Sequence, residues 1–365
     1  MKKLLFVILL SPLFVTVCYA DNLVSQTAEM AGIYEVENAL TGDEKEISGP
    51  LTLDGSYDGK GALHRLWGRL WKTVEEQLKE NLASAVRLAA VGLFCSLLCA
   101  VSPDRKMAAV IEIGGCCIIT LLLAGNVESL VSQATETLTR LSDYSRAAIP
   151  AIYTAAAFTG AVTSASAQYA AVCLAMDVII SAQQRFVLPL IYAFLAVAIS
   201  RSIFANPVIN AVQHFFKWSI TTVLTAITLC FSAYISITGL VAGSADAVAV
   251  KAARTAISGA LPVVGGILSD SASTLLSAAN VIKNAAGAYS LVAVCTLCLG
   301  PFTALAVRVL LFKMAAAMTD MLPTARVSQL IGDFAAVFAM LLGMIGSCGI
   351  MLFLSIMAGI KVIAV

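Results

Sequence analysis

Long runs without a charged side chain recur along this chain, among them Leu88–Pro103, Ile113–Val127, Ala147–Met176, Phe186–Ser200, Trp218–Ala245, Asn284–Val307 and Phe334–Ile360, each of fifteen residues or more. A helix that crosses a bilayer needs about 20 mostly apolar residues. A soluble domain could not hide so many such runs. Soluble domains are about 25% charged, whereas this chain is 12% charged and 59% apolar, with a mean hydropathy of +0.90. The pattern predicts an all-α polytopic membrane protein. The third run could hold two short or broken helices, since Pro150 lies near one end and a Thr-Gly-Ala-Val-Thr-Ser-Ala-Ser stretch starts at Thr159. Seven or eight transmembrane helices are therefore expected.

The charge that remains is unevenly placed. Residues 21–82 hold 12 of the 22 acidic residues. Ahead of them, Lys2 and Lys3 precede an apolar run from Leu4 to Val17 and then Cys18-Tyr19-Ala20. A basic start, a short apolar core and small residues at the cleavage positions describe a signal peptide. Residues 1–20 are thus expected to be removed, with the mature chain starting outside the cytoplasm. Residues 21–62 read as a polar extracytoplasmic leader, largely disordered for want of apolar residues.

Residues 63–82 form an amphipathic helix. Leu63, Leu66, Trp67, Leu70, Trp71, Val74 and Leu78 recur at spacings of three and four, which puts them on one face. Arg65, Arg69, Lys72, Glu75, Glu76 and Lys79 occupy the other. Two Trp on the apolar face suit the headgroup region, so the helix is read as interfacial. The competing reading, a helix packed on a soluble domain, lacks a domain to pack on. Residues 83–365 form the multi-span membrane domain. Lys/Arg bias near the spans orients it, placing Arg105, Lys106, Arg201, Lys217, Arg308 and Lys313 inside and 125–146, 242–283 and Val365 outside.

Several functional classes are excluded. A net charge of +1 leaves no basic stripe for nucleic acid. No G-x-x-x-x-G-K-[ST] loop occurs to cradle a phosphate. The two histidines, His64 and His214, are too few for a His-based metal site or a Ser/His/Asp triad. Cys95, Cys99, Cys116, Cys117, Cys173, Cys230, Cys295, Cys298 and Cys348 all sit in apolar runs and read as packing residues. Neither enzyme nor cofactor is expected.

What remains is ionisable or hydroxylated side chains within apolar runs, each costly in lipid unless paired or hydrated. Arg87, Glu112, Asp177 and Arg201 qualify, and Asp177 follows a 30-residue uncharged run. Thr225 and Ser232 belong to a hydroxyl-rich span that also holds Thr221, Thr222, Thr228, Ser236 and Thr238. Hydroxyls of this kind either line a polar path or bond neighbouring helices. Residues 242–285 carry Asp246, Lys251, Arg254, Ser258, Asp270 and Lys283 on two amphipathic half-helices separated by Pro262-Val-Val-Gly265-Gly266. Such a break suits a re-entrant helix lining a cavity or a pair of interfacial helices joined by a turn. Pro262, Gly265 and Gly266 are the candidate hinge. Asp177, Thr225, Ser232, Asp246, Arg254, Ser258, Asp270 and Lys283 are the candidate path-lining or coupling residues.

The stretch Ala252-Ala-Arg254-Thr-Ala-Ile257-Ser-Gly-Ala-Leu-Pro262-Val-Val-Gly265-Gly-Ile-Leu-Ser-Asp270-Ser-Ala-Ser-Thr274, running on to Asn280 and Lys283-Asn284, resembles the signature region of the stage III sporulation protein AE family. The order of elements around it, from signal peptide through hydroxyl-rich span to two terminal spans, is similar to that family over nearly the whole chain. The resemblance implies a multi-pass protein of the mother-cell membrane around the engulfed forespore. It implies a permease-like subunit of the channel or secretion complex required for endospore formation. Its partners would be other stage III sporulation proteins: a cytosolic ATPase and ring-forming subunits. No catalytic residue is carried over. Two alternatives stay open: a non-conducting scaffold that anchors the rings and ATPase, and a small-solute secondary transporter, for which an internal repeat is missing.

Overall fold

The computed structural model describes residues 26–362 except 27, 52–56, 103, 205, 261–264 and 323, and the side chains of 105, 238–251 and 253–275 are also outside the description. Among the described residues every regular element is helical. Two short helices, α1 (Ile33–Asn38) and α2 (Gly42–Ser48), precede α3 (Gly59–Val101) and α4 (Arg105–Phe158). Then come α5 (Val162–Ala182), a π turn (Gln183–Val187), α6 (Leu188–Ile203), α7 (Pro207–Ala260), α8 (Gly265–Asp320) and α9 (Ala325–Lys361).

The reversals fall where the backbone cannot stay helical. Pro103, Pro262 and Pro323 lie between helices, and Pro207 opens α7, where its missing N–H and fixed φ cost nothing. Asn206 caps that start, its Oδ1 accepting from the Val208 N–H at 2.9 Å. The α4–α5 turn relies on Gly160 at φ +89°, a left-handed conformation in which a Cβ would be strained. As expected, the third apolar run breaks at this Thr-Gly-Ala stretch.

Among the described residues six helical stretches are long and apolar enough to cross a membrane: Gly59–Val101, Lys106–Phe158, Val162–Ile203, Pro207–Ile237, Leu276–Asp320 and Ala325–Lys361. Hydropathy alone suggests seven or eight, because it stops at charges that the helices pass through. The run Ile113–Val127 and the start of the next share α4, whose middle carries Glu128, Glu136, Arg140, Asp143 and Arg146. Charged side chains interrupt hydropathy but leave the backbone ladder intact. Likewise Phe186–Ser200 is not a separate helix, since α5 passes into α6 through the π turn.

The amphipathic 63–82 stretch and the first span are one 43-residue helix. Leu66, Leu70 and Val74 are partly covered, while Leu63, Trp67, Trp71 and Leu78 stand exposed. The leader also differs from the disordered segment expected. Val36 and Leu40 are buried in the main core, and Glu44 joins α2 to α4 through Arg140 at 2.7 Å while its carboxylate accepts from the Thr41 N–H at 2.8 Å. Tyr57 donates to the Ser48 carbonyl at 2.8 Å and sets its ring edgewise on Tyr289 with centroids 5.6 Å apart. Burial pushes its phenol up to about 12, against the opposing pull of Arg65, so it remains a donor at any physiological pH.

Helix α9 is the core, buried along most of its length except on the face that runs through Gly332, Ala336, Gly343, Gly346 and Ile350. Its register with its neighbours is set by glycines. A Cβ on Gly287 of α8 would collide with Ile360, and one on Gly359 would lie 2.7 Å from Ile152. A Cβ on Gly343 would meet Leu224 at an ordinary 3.6 Å. Gly287→Ala and Gly359→Ala are expected to destabilise the detergent-solubilised protein by about 1–3 kcal/mol through overpacking. Gly343→Ala, free of that clash, should be neutral or gain up to about 1 kcal/mol of helix propensity. Thermal melts of the three variants check the contrast.

Candidate functional site

One end of the bundle gathers the turns after α3, α6 and α8, and there the buried charges are paired. Arg201 at the end of α6 holds Asp333 of α9 at 2.7 Å, both side chains mostly covered. Arg326, in the first turn of α9, reaches Glu112 of α4 at 3.4 Å and donates to the Ile203 carbonyl at 3.3 Å. These pairs fix the ends of α4, α6 and α9 against one another. Each charge taken from water has a partner, without which it would cost several kcal/mol.

Beside this ionic layer lies a groove of about 690 Å³ between α7, α8 and α9. Leu224, Thr225, Thr228 and Leu229 form one wall, Phe302 the other, and Gly332, Ala336, Gly343 and Gly346 the floor. Lys217 and Lys313 stand at its end nearest the ionic layer. The register supports this placement. Gly343 faces Leu224 on α7 and Gly346 faces Phe302 on α8; since α7 and α9 start at the end where α8 stops, α7 runs parallel to α9 and α8 antiparallel to it. Polar character in the α7 wall is muted. Thr221, Thr225, Thr228, Ser232 and Ser236 each donate to a carbonyl one turn back, at 2.8–2.9 Å. Their hydroxyl donors are satisfied within their own helix.

The residues singled out from sequence do not converge on one surface. Thr225 lines the groove, and Ser232 lies two turns further along α7. Asp177 is more than half exposed on the surface of α5 and is paired with Arg146 at 3.2 Å. Lys283 is wholly buried on α8 and donates to the Val362 carbonyl at the end of α9, at 2.7 Å. The side chains of Asp246, Arg254, Ser258 and Asp270, and Pro262 itself, lie outside the described residues; Gly265 and Gly266 begin α8. The nine cysteines among the described residues are free. Cys348 donates to Gln183 Oε1 at 3.0 Å, and Gln183 Nε2 donates to Ser347 at 2.7 Å. That buried knot ties the π turn to α9. Nothing in the sequence pattern announced it, since a single Gln beside Gln184 and Arg185 reads as a span end.

The family profile of stage III sporulation protein AE matches residues 54–362, nearly the whole of the folded chain. The chain belongs to the stage III sporulation protein AE family. No curated protein and no solved structure matches it. Family membership assigns a role in sporulation and agrees with the six apolar helices of a multi-pass membrane protein. The match spans α3 to α9, and thus the ionic layer, the groove and the 252–284 signature stretch; α1 and α2 precede it.

The Arg201–Asp333 pair can be weighed by a double-mutant cycle. Arg201→Met leaves the covered Asp333 without its guanidinium partner, and a hydrogen bond to a charged group contributes about 1.5–3 kcal/mol. Loss of that order is expected for Arg201→Met and for Asp333→Leu. Thermal unfolding should show the double variant losing clearly less than the sum of the two.

Proposed function

We propose that this family member is the permease-like membrane subunit of a complex that joins mother cell and forespore, set in the mother-cell membrane. The observation that carries the proposal is the length of the α7–α8 hairpin. Its arms have 54 and 56 residues, about 80 Å each at 1.5 Å per residue. A hydrocarbon core is about 30 Å thick, so more than half of each arm stands outside it. A hairpin of that reach is suited to engage partners beyond the membrane plane.

The same reading fixes the orientation. Arg105, Lys106, Arg201 and Arg326 all belong to the end that carries the turns after α3, α6 and α8. The positive-inside rule assigns that end to the cytoplasm. The α7–α8 junction, the leader and the end of α9 then face the intermembrane space, where ring-forming subunits would meet the hairpin and where Asp246, Arg254, Ser258 and Asp270 would act. The cytosolic ATPase would approach the opposite end. A non-conducting scaffold is the second reading, favoured by the α7 hydroxyls, whose donors are spent within their helix and so do not call for water.

Two measurements test this. Pro262→Leu and Gly265→Leu restore helix continuity at the junction; both variants should reach the membrane, lose co-purifying ring subunits and fail to form spores. Normal sporulation in both would remove the hairpin from the function. For orientation, an impermeant thiol reagent applied from outside should label Asp43→Cys and not Ser102→Cys, in a background without the native cysteines. The reverse pattern would overturn the topology.

A further inference from the structure

We propose that the groove between α7, α8 and α9 is a binding site for an anionic phospholipid, with its acyl chain along the trough and its phosphate between Lys217 and Lys313. This does not rest on the channel reading and applies equally to a scaffold.

The groove belongs to helices that are long and apolar enough to span a bilayer, so its open side faces acyl chains. Its volume of about 690 Å³ falls in the range of roughly 300–1,000 Å³ typical of small-ligand sites. The floor is open for no packing reason. A Cβ on Gly332, Gly343 or Gly346 would meet its nearest neighbour at 3.6–3.9 Å, in contrast to Gly287 and Gly359, where a Cβ would not fit. These three glycines deepen a trough instead of admitting a neighbouring helix.

The charge at the groove's end commits the occupant. Lys217 and Lys313 are exposed and lie at one level on either side of α9. Among the described residues neither forms an ion pair; Lys217 lies close enough to Asp333 to act on its charge, but that carboxylate is bonded by Arg201 at 2.7 Å. Two cations at the edge of the hydrocarbon attract an anionic headgroup, each contributing about 1 kcal/mol. Basic pockets between spans on the cytoplasmic side take anionic headgroups for this reason. A second copy seated by its own groove would bring like charges together. A zwitterionic lipid would offer the same chain but no net negative charge.

The full-length protein, exchanged into mixtures of dioleoyl-phosphatidylcholine with dioleoyl-phosphatidylglycerol, can be read by native mass spectrometry. The wild type should retain one phosphatidylglycerol per chain in preference to phosphatidylcholine. Lys217→Ala/Lys313→Ala should weaken that retention about 30-fold, the effect of two interfacial cations, while Lys217→Arg/Lys313→Arg preserves it. Gly346→Leu, which fills the trough, should remove retention of both lipids. Equal retention of the two lipids by the wild type would overturn the proposal, as would unchanged retention in the double alanine variant. A lipid-free dimer cross-linked through Gly343→Cys would overturn it too and give the groove to a second copy.

Discussion

Inside a bilayer no water is available to a peptide N–H or C=O, so each must be bonded within its own segment. That requirement governs the arrangement of this chain. It lets α4, α7 and α8 grow past 50 residues, because adding a residue to a helix satisfies its backbone while leaving the helix does not. It confines the reversals to places where Pro or Gly has already given up a donor or a standard φ, such as Pro207 and Gly160. Where Pro150 and Pro301 fall inside helices, the surrounding bundle carries the chain across the missing bond. The charged layer at one end obeys the same rule for side chains, pairing Arg201 with Asp333 and Arg326 with Glu112.

What could be read from the sequence was whatever depends on local composition. Apolar runs identify membrane helices, the Thr159–Ser166 stretch marks a break, and the 252–284 stretch marks the family. The number of spans was less legible, since a helix ignores the charges at Glu128–Arg146 that end a hydropathy run. The fate of the leader was hidden for a different reason. Val36, Leu40 and Glu44 are unremarkable until α4 supplies a core and an arginine 96 residues away. Partners of that separation leave no trace in a single sequence, and the same holds for Arg201 with Asp333 and Gln183 with Ser347.

The candidate site illustrates the limit more sharply. A hydroxyl-rich span suggests a wet path, but the structure spends those hydroxyls on carbonyls of α7 itself. Polar residues on a membrane helix can therefore be compatible with lipid, and what distinguishes the α7 wall is its neighbours: the glycine floor of α9 and the two lysines. Neither lysine stood out as functional from sequence, because each reads as an ordinary span-end residue. Only the register of α7 and α8 against α9 brings them to one level.

Lys283 connects these two halves of the molecule. It lies near the point where α8 leaves the cover of α9, with its ammonium buried and bonded to the last carbonyl layer of that helix. The C-terminal end of a helix carries partial negative charge, which makes it a workable partner for a cation that has no carboxylate among the described residues. A neighbouring contact is equally tight, since Gly287 admits Ile360 where no side chain would fit. The base of the hairpin is thus clamped to the core helix by one polar and one steric contact, a turn apart on α8. A hairpin so rooted cannot tilt at this point without carrying the end of α9 with it, because tilting alone would strand a charge in an apolar interior.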